Sequence, residues 1–223
     1  MKKYGLIFDM DNTILDTHID FAEMQRRTAD TISRICRSEL KIAAADFASM
    51  ATAQMINWAQ EHGFSTEQIA ALWADVAAVE ALGMNRVDIE EGAAEALAAL
   101  QNVGFFMTVL TNNALSAAKL AMKNADLTKY FHEIHARDEY NELKPSPKGI
   151  ISIMEDHPQV LRWVMLGDSW LDGAAAKQAG IPFIAYGKQP DEYWEKYDIV
   201  PKLKITAWRK SIADILNAEF FHG

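Results

Sequence analysis

The chain is poor in the residues that would announce a secreted, membrane-bound or nucleic-acid-binding protein. It has one cysteine, Cys36, so no intrachain disulfide can form and a Cys-rich zinc module is excluded. Its longest apolar stretch near the start, Tyr4 to Phe8, follows Lys2 and Lys3 and ends at Asp9. A secretory core needs about 7–15 apolar residues and a bilayer span about 20. The expectation is therefore a soluble, cytoplasmic chain without a membrane partner. Basic residues are also in deficit, 22 against 31 acidic ones, for a formal charge of -9. A nucleic-acid duplex would be repelled, and no basic stripe offsets this. Gly-x-Gly-x-x-Gly and Walker loops are missing, which argues against nicotinamide and ATP as ligands.

What remains is an ordinary globular composition: 223 residues, half of them apolar and 24% charged. A chain of this length buries enough surface to fold without cross-links. Tyr4-Gly5-Leu6-Ile7-Phe8 reads as a buried strand. From about Asp20 to Leu82 the texture turns Ala-rich and helical, with stripes at Met24, Thr28, Thr31, Ile32 and Ile35, then Thr52, Met55, Ile56 and Ala59, then Ile69, Leu72, Trp73, Val76 and Val79. Ser65 and Gln68 offer N-cap chemistry, and Gly83 is expected to close the block. Thereafter strands are expected at 105–110, 132–136, 163–166, 182–185 and near Ile205, alternating with helices. Such alternation predicts an α/β fold, a doubly wound parallel sheet carrying an inserted helical subdomain. The boundaries implied are 1–16 and 89–223 for the core and 17–88 for the insertion, with hinges near 16–20 and 83–88.

In an open parallel sheet, ligands bind beyond the carboxyl ends of the strands. The loops there hold Asp9-Met10-Asp11-Asn12-Thr13, Thr111-Asn112, Lys144 before Pro145, and Gly167-Asp168-Ser169-Trp170-Leu171-Asp172. Carboxylates, a hydroxyl, an amide and a lysine suit phosphoryl transfer. A carboxylate nucleophile divides ester hydrolysis into two easier steps, and a hard cation with a lysine neutralises the charge that develops. Magnesium takes oxygen ligands and few carboxylates, and Asp9 with Asp168 meets that need.

In their order and placement these motifs resemble those of the haloacid dehalogenase-like hydrolase superfamily, and the helical block resembles the cap of its phosphoglycolate-phosphatase-like branch. The resemblance spans about residues 4 to 216. It implies Asp9 as nucleophile and Mg2+ ligand, and Asp11 as acid/base lending its main-chain carbonyl to the metal. It implies that Thr111, Asn112 and Lys144 hold the phosphoryl group. Asp168 would ligate the metal, with Asp172 supporting it directly or through water. Asn12 stands where the family usually has glycine, and Asn tolerates the left-handed backbone such a turn needs. A carboxylate at position 11 favours phosphate esters over halide or phosphonate substrates. The implied activity is a magnesium-dependent phosphatase acting on a small phosphorylated metabolite. A phosphosugar mutase using the same aspartyl-phosphate, and a catalytically silent binding protein, are the alternatives. Oligomeric state and substrate identity are not encoded legibly, and Arg26, Arg27, Asn57 and Trp58 are candidate substrate contacts by position alone.

Other features have plainer readings. His132 and His135, three apart on a strand, point to opposite faces and are expected to be structural. Gly167-Asp168-Ser169 mimics a serine-esterase start, but only His222 faintly offers the base it needs. Trp170 lies inside a motif and is expected at the pocket rim.

Overall fold

The computed structural model describes residues 4–84, 87–140 and 142–221. It divides into two compact units, one of Met1–Thr17 with Val87–Gly223 and one of His18–Arg86. The strands in chain order are β1 (Tyr4–Phe8), β2 (Leu15–Thr17), β3 (Val87–Ile89), β4 (Phe106–Leu110), β5 (Glu133–His135), β6 (Arg162–Gly167), β7 (Phe183–Tyr186) and β8 (Leu203–Ile205). Six of them form one sheet in the order β5-β4-β1-β6-β7-β8, and every pairing in it is parallel. Chain order reverses between β1 and β6, the switch point where doubly wound sheets open a ligand crevice. Because crossovers cover both faces, β1, β4 and β6 are almost continuously buried.

The helical unit holds α1 (Phe21–Ile35), α2 (Thr52–Glu61) and α3 (Thr66–Met84). Asp20 caps α1 by accepting from the Glu23 amide at 2.8 Å, and Met24, Thr28, Ile32 and Ile35 make its buried stripe. Ser65 and Gln68 satisfy one another's backbone amides ahead of α3, at 2.8 and 3.2 Å. Helix α3 does not stop at Gly83 but runs to Met84. The glycine serves close approach instead: a Cβ there would lie 2.5 Å from the Ile19 Cα.

The helices of the first unit are α4 (Ala93–Val103), α5 (Leu115–Asn124), α6 (Lys148–Asp156), α7 (Trp170–Ala179), α8 (Asp191–Lys196) and α9 (Trp208–Leu216). Three elements lie outside the sequence expectations. Strands β2 and β3 pair antiparallel in a separate ribbon, Leu15 opposite Ile89 and Thr17 opposite Val87. Each is three residues long, too short for a period to register. Helix α8 is six residues and buries only Trp194. The expected hinge at 83–88 falls partly outside the described residues, as do Lys2, Lys3 and His222.

Candidate active site

Asp9 continues the β1 ladder by one step, its amide donating to Leu166 O at 2.8 Å. The chain then turns sharply. Ile14 and Leu15 both donate to Met10 O, and Asn12 takes a left-handed backbone with φ of 54°. The turn that glycine usually makes is thus made by asparagine, whose short polar side chain tolerates this region. It also leaves Asp9 and Asp11 buried and adjacent to the switch point.

Lys144 reaches this point from a loop 135 residues further on. Its ammonium donates to Asp9 Oδ1 at 2.6 Å, Asp172 Oδ1 at 2.7 Å and Leu110 O at 2.8 Å, which uses all three of its protons. Burial opposes its charge, but Asp172 and Asp9 overcome that and hold it above the ordinary lysine range. Asp172 is the third residue of α7, and its other oxygen accepts from the Ser169 amide at 3.1 Å and the Ser169 hydroxyl at 2.7 Å. Gly167 makes room for it, since a Cβ there would sit 2.4 Å from the Asp172 carboxyl carbon. Ser169 is therefore engaged as a helix cap, and the esterase reading has no geometric support.

Ligand oxygens of Asp9, Asp168 and Asp172 lie within 4.8 Å of one another. That is far inside the separation, about 10 Å, beyond which one ion could not be shared. Burial, opposed by Lys144 and reinforced by Asp172 and Asp11, pushes the Asp9 carboxyl up to about 7. Burial and the charges of Asp9 and Asp172 lift Asp168 well above the usual carboxylate range. Three carboxylates face a single ammonium, so the cluster is short of positive charge. All-oxygen donors around a charge deficit fit a hard divalent cation.

Asp11 has donors of its own. Thr17 donates to its Oδ1 at 2.8 Å, and Asn113 donates to its Oδ2. Neither partner was expected from the sequence. Asn113 follows the Thr111-Asn112 pair and is 4% exposed, so its burial, rather than its type, is the signal. Thr111 is buried and held from both sides: its amide donates to His135 O at 3.0 Å, and its hydroxyl accepts from the Asn113 amide at 3.2 Å. Asn112 donates to Lys144 O at 2.9 Å and accepts from the Lys144 amide at 3.0 Å. Its carboxamide staples the Lys144 loop, using its oxygen and one of the two N–H groups of its nitrogen.

A cavity of about 560 Å³ opens beside Asn12 and Asp168, with Glu90, Tyr186, Lys188 and Arg209 among its walls. This size accommodates a small metabolite. Trp170 is stacked on Tyr197 and is not part of that lining. Arg26 and Arg27 both pair with Glu23 on the exposed face of α1, and Trp58 stacks on His62. His132 stacks on Phe106, while His135 and His157 both face Glu133 Oε2, at 3.0 and 2.8 Å.

A family model described as haloacid dehalogenase-like hydrolase matches residues 6–186. A phosphoglycolate phosphatase of Rhodobacter capsulatus is 29% identical over 119 residues, 52% of each chain. Another, from Mesorhizobium japonicum, is 25% identical over 198 residues, 83% of each. The chain spans about half the length, or less, of the first curated relatives it matches. Among solved structures, a hydrolase from Pseudomonas syringae superposes with a TM-score of 0.67 at 16% identity, over 95% of this chain and 97% of that one.

Proposed function

The chain belongs to the haloacid dehalogenase-like hydrolase family, and on that premise we propose that it is a magnesium-dependent phosphatase of small phosphorylated metabolites. The observation that carries this reading is the Lys144 ammonium bridging Asp9 and Asp172, with the Asp168 carboxylate within 4.8 Å. It supplies a nucleophile, a fixed cation and a site for a second, divalent one in a single buried space.

In the proposed reaction a carboxylate oxygen of Asp9 attacks phosphorus, and the bond to the ester oxygen breaks. Asp11 gives its proton to the departing oxygen, and an aspartyl-phosphate forms on Asp9. Asp11 then takes a proton from water. The resulting hydroxide displaces Asp9 from phosphorus, and inorganic phosphate leaves. Lys144 and the Thr111 hydroxyl balance charge on the phosphoryl oxygens as it builds. Asp9, Asp168, the Asp11 carbonyl and Asp172 would hold magnesium, which would keep the Asp9 carboxylate ionised and neutralise phosphoryl charge. Donors from Thr17 and Asn113 hold the Asp11 carboxyl that would carry out both proton transfers.

Because several relatives are named phosphoglycolate phosphatases, phosphoglycolate heads the substrates to be tried. The test is phosphate release from an aryl phosphate and from a panel of phosphorylated metabolites. Release that needs magnesium and vanishes in Asp9→Asn supports the reading. Binding without turnover points to a silent scaffold. Isomerisation of a sugar phosphate with little free phosphate points to a mutase.

A further inference from the structure

The loop that carries Asp168 has to hold one carboxyl in a fixed place. Its carboxyl must stay beside those of Asp9 and Asp172 for one cation to be shared. On one side the loop is held by the β6 ladder, where Gly167 pairs with Ala185, and on the other by Asp172, which Lys144 fixes at 2.7 Å. Ser169 takes part in this, since both its amide and its hydroxyl bond to Asp172.

A further restraint, on Trp170, comes from α8. Trp170 is the first residue of α7, and its N–H is one of the donors that every helix start leaves without an internal partner. That N–H donates to the Tyr193 hydroxyl oxygen at 3.1 Å, across 23 positions of chain. The Trp170 ring lies flat on Tyr197, centroids 4.6 Å apart and planes at 8°. Tyr193 in turn packs edge-on against Tyr197 at 5.5 Å and against buried Trp194 at 4.9 Å. A hydroxyl on a ring packed against two other aromatic side chains is a well-fixed acceptor, and an aromatic ring of two χ angles loses little entropy in being held there.

We infer that Tyr193 is a positioning residue of the cation site: its hydroxyl caps α7 and pins the 168–170 loop, so that the Asp168 carboxylate stays beside Asp9 for a divalent cation. The inference rests on the reading of Asp168 as a cation ligand. Its consequence is for metal affinity rather than for proton transfer or nucleophilic attack, since Tyr193 touches neither Asp9 nor Asp11 by hydrogen bond.

Tyr193→Phe removes one oxygen and keeps the ring. Magnesium binding is to be measured by calorimetry and by the magnesium dependence of aryl phosphate hydrolysis, beside the melting temperature in chelator. The expected result is a rise of about three- to tenfold in the magnesium dissociation constant, the worth of one net hydrogen bond, with kcat recovered at saturating magnesium. An unchanged magnesium affinity with a lowered melting temperature makes Tyr193 merely structural and overturns the inference. Asp168→Asn is run in parallel. If it binds magnesium as tightly as the native chain, the ligand reading itself fails. If it loses magnesium while Tyr193→Phe does not, only the role of Tyr193 falls.

Discussion

At the scale of single residues, the site's organisation depends on side chains whose job is to hold other side chains. Asn113 is the clearest case, donating to the Asp11 carboxylate from a buried position. Hydrogen bonds to charged groups are worth about 1.5–3 kcal/mol. Asn113→Ala is accordingly expected to lower kcat on an aryl phosphate about ten- to a hundredfold, with circular dichroism unchanged. Asn112 has a different task, clamping both the amide and the carbonyl of Lys144. Removing it in Asn112→Ala should cost about 2 kcal/mol of stability by urea denaturation, because two main-chain groups lose partners at once. A variant at either position that behaves as native would show the corresponding contact to be idle. Asp9, Asp11, Lys144 and Asp168 could be singled out in the sequence because four motifs stand in a fixed order beside the expected elements, although each residue alone is ordinary in a turn or on a surface. Asn113 and Tyr193 were not, because an amide and a phenol are ordinary in loops and helices until burial and contact make them specific.

At the scale of elements, local pattern and tertiary demand sometimes conflict. Gly83 lies inside α3, where glycine is a poor helix former. Alanine there should gain about 1 kcal/mol in propensity. The Cβ would however meet the Ile19 backbone at 2.5 Å, a contact that no rotamer change relieves. Forced overpacking costs about 1–3 kcal/mol. Gly83→Ala is therefore expected to destabilise the helical unit on balance, seen as earlier loss of helix signal on denaturation. A stabilised variant would mean that the two segments separate at little cost. The same conflict explains why a stop at Gly83 was expected and a continuous helix found. Elements with a strong signature, the helical stripe of α1 and the largely apolar run of β4, agreed with the sequence reading, whereas β2, β3 and α8 are too short to carry one and owe their form to pairing or to one buried tryptophan.

At the scale of the whole molecule, the buried acidic cluster ties stability to pH and to cations. Asp9 holds its proton up to about 7 in the folded, cation-free chain, against a model value of 3.8 for the exposed group. The folded state therefore keeps a proton that the unfolded chain has lost, and the stability this gives fades as pH rises from 3.8 towards about 7. In chelator, the melting temperature should fall over that window. A saturating divalent cation should raise it, and more at pH 8 than at pH 5, because only the ionised carboxylates bind it. Equal stabilisation at both pH values in a thermal melt would argue that the cation binds elsewhere.

The order of chemical types along the chain, the alternation of strands and helices, and the turn at Asn12 were determined by sequence alone, since each rests on local side-chain preference. Which carboxylates Lys144 neutralises, which amide staples its loop, and which residues hold Asp11 and Asp168 in place were decided only when the sheet closed. Those contacts join segments far apart in the chain, and burial, which removes competing water, is what gives them their strength.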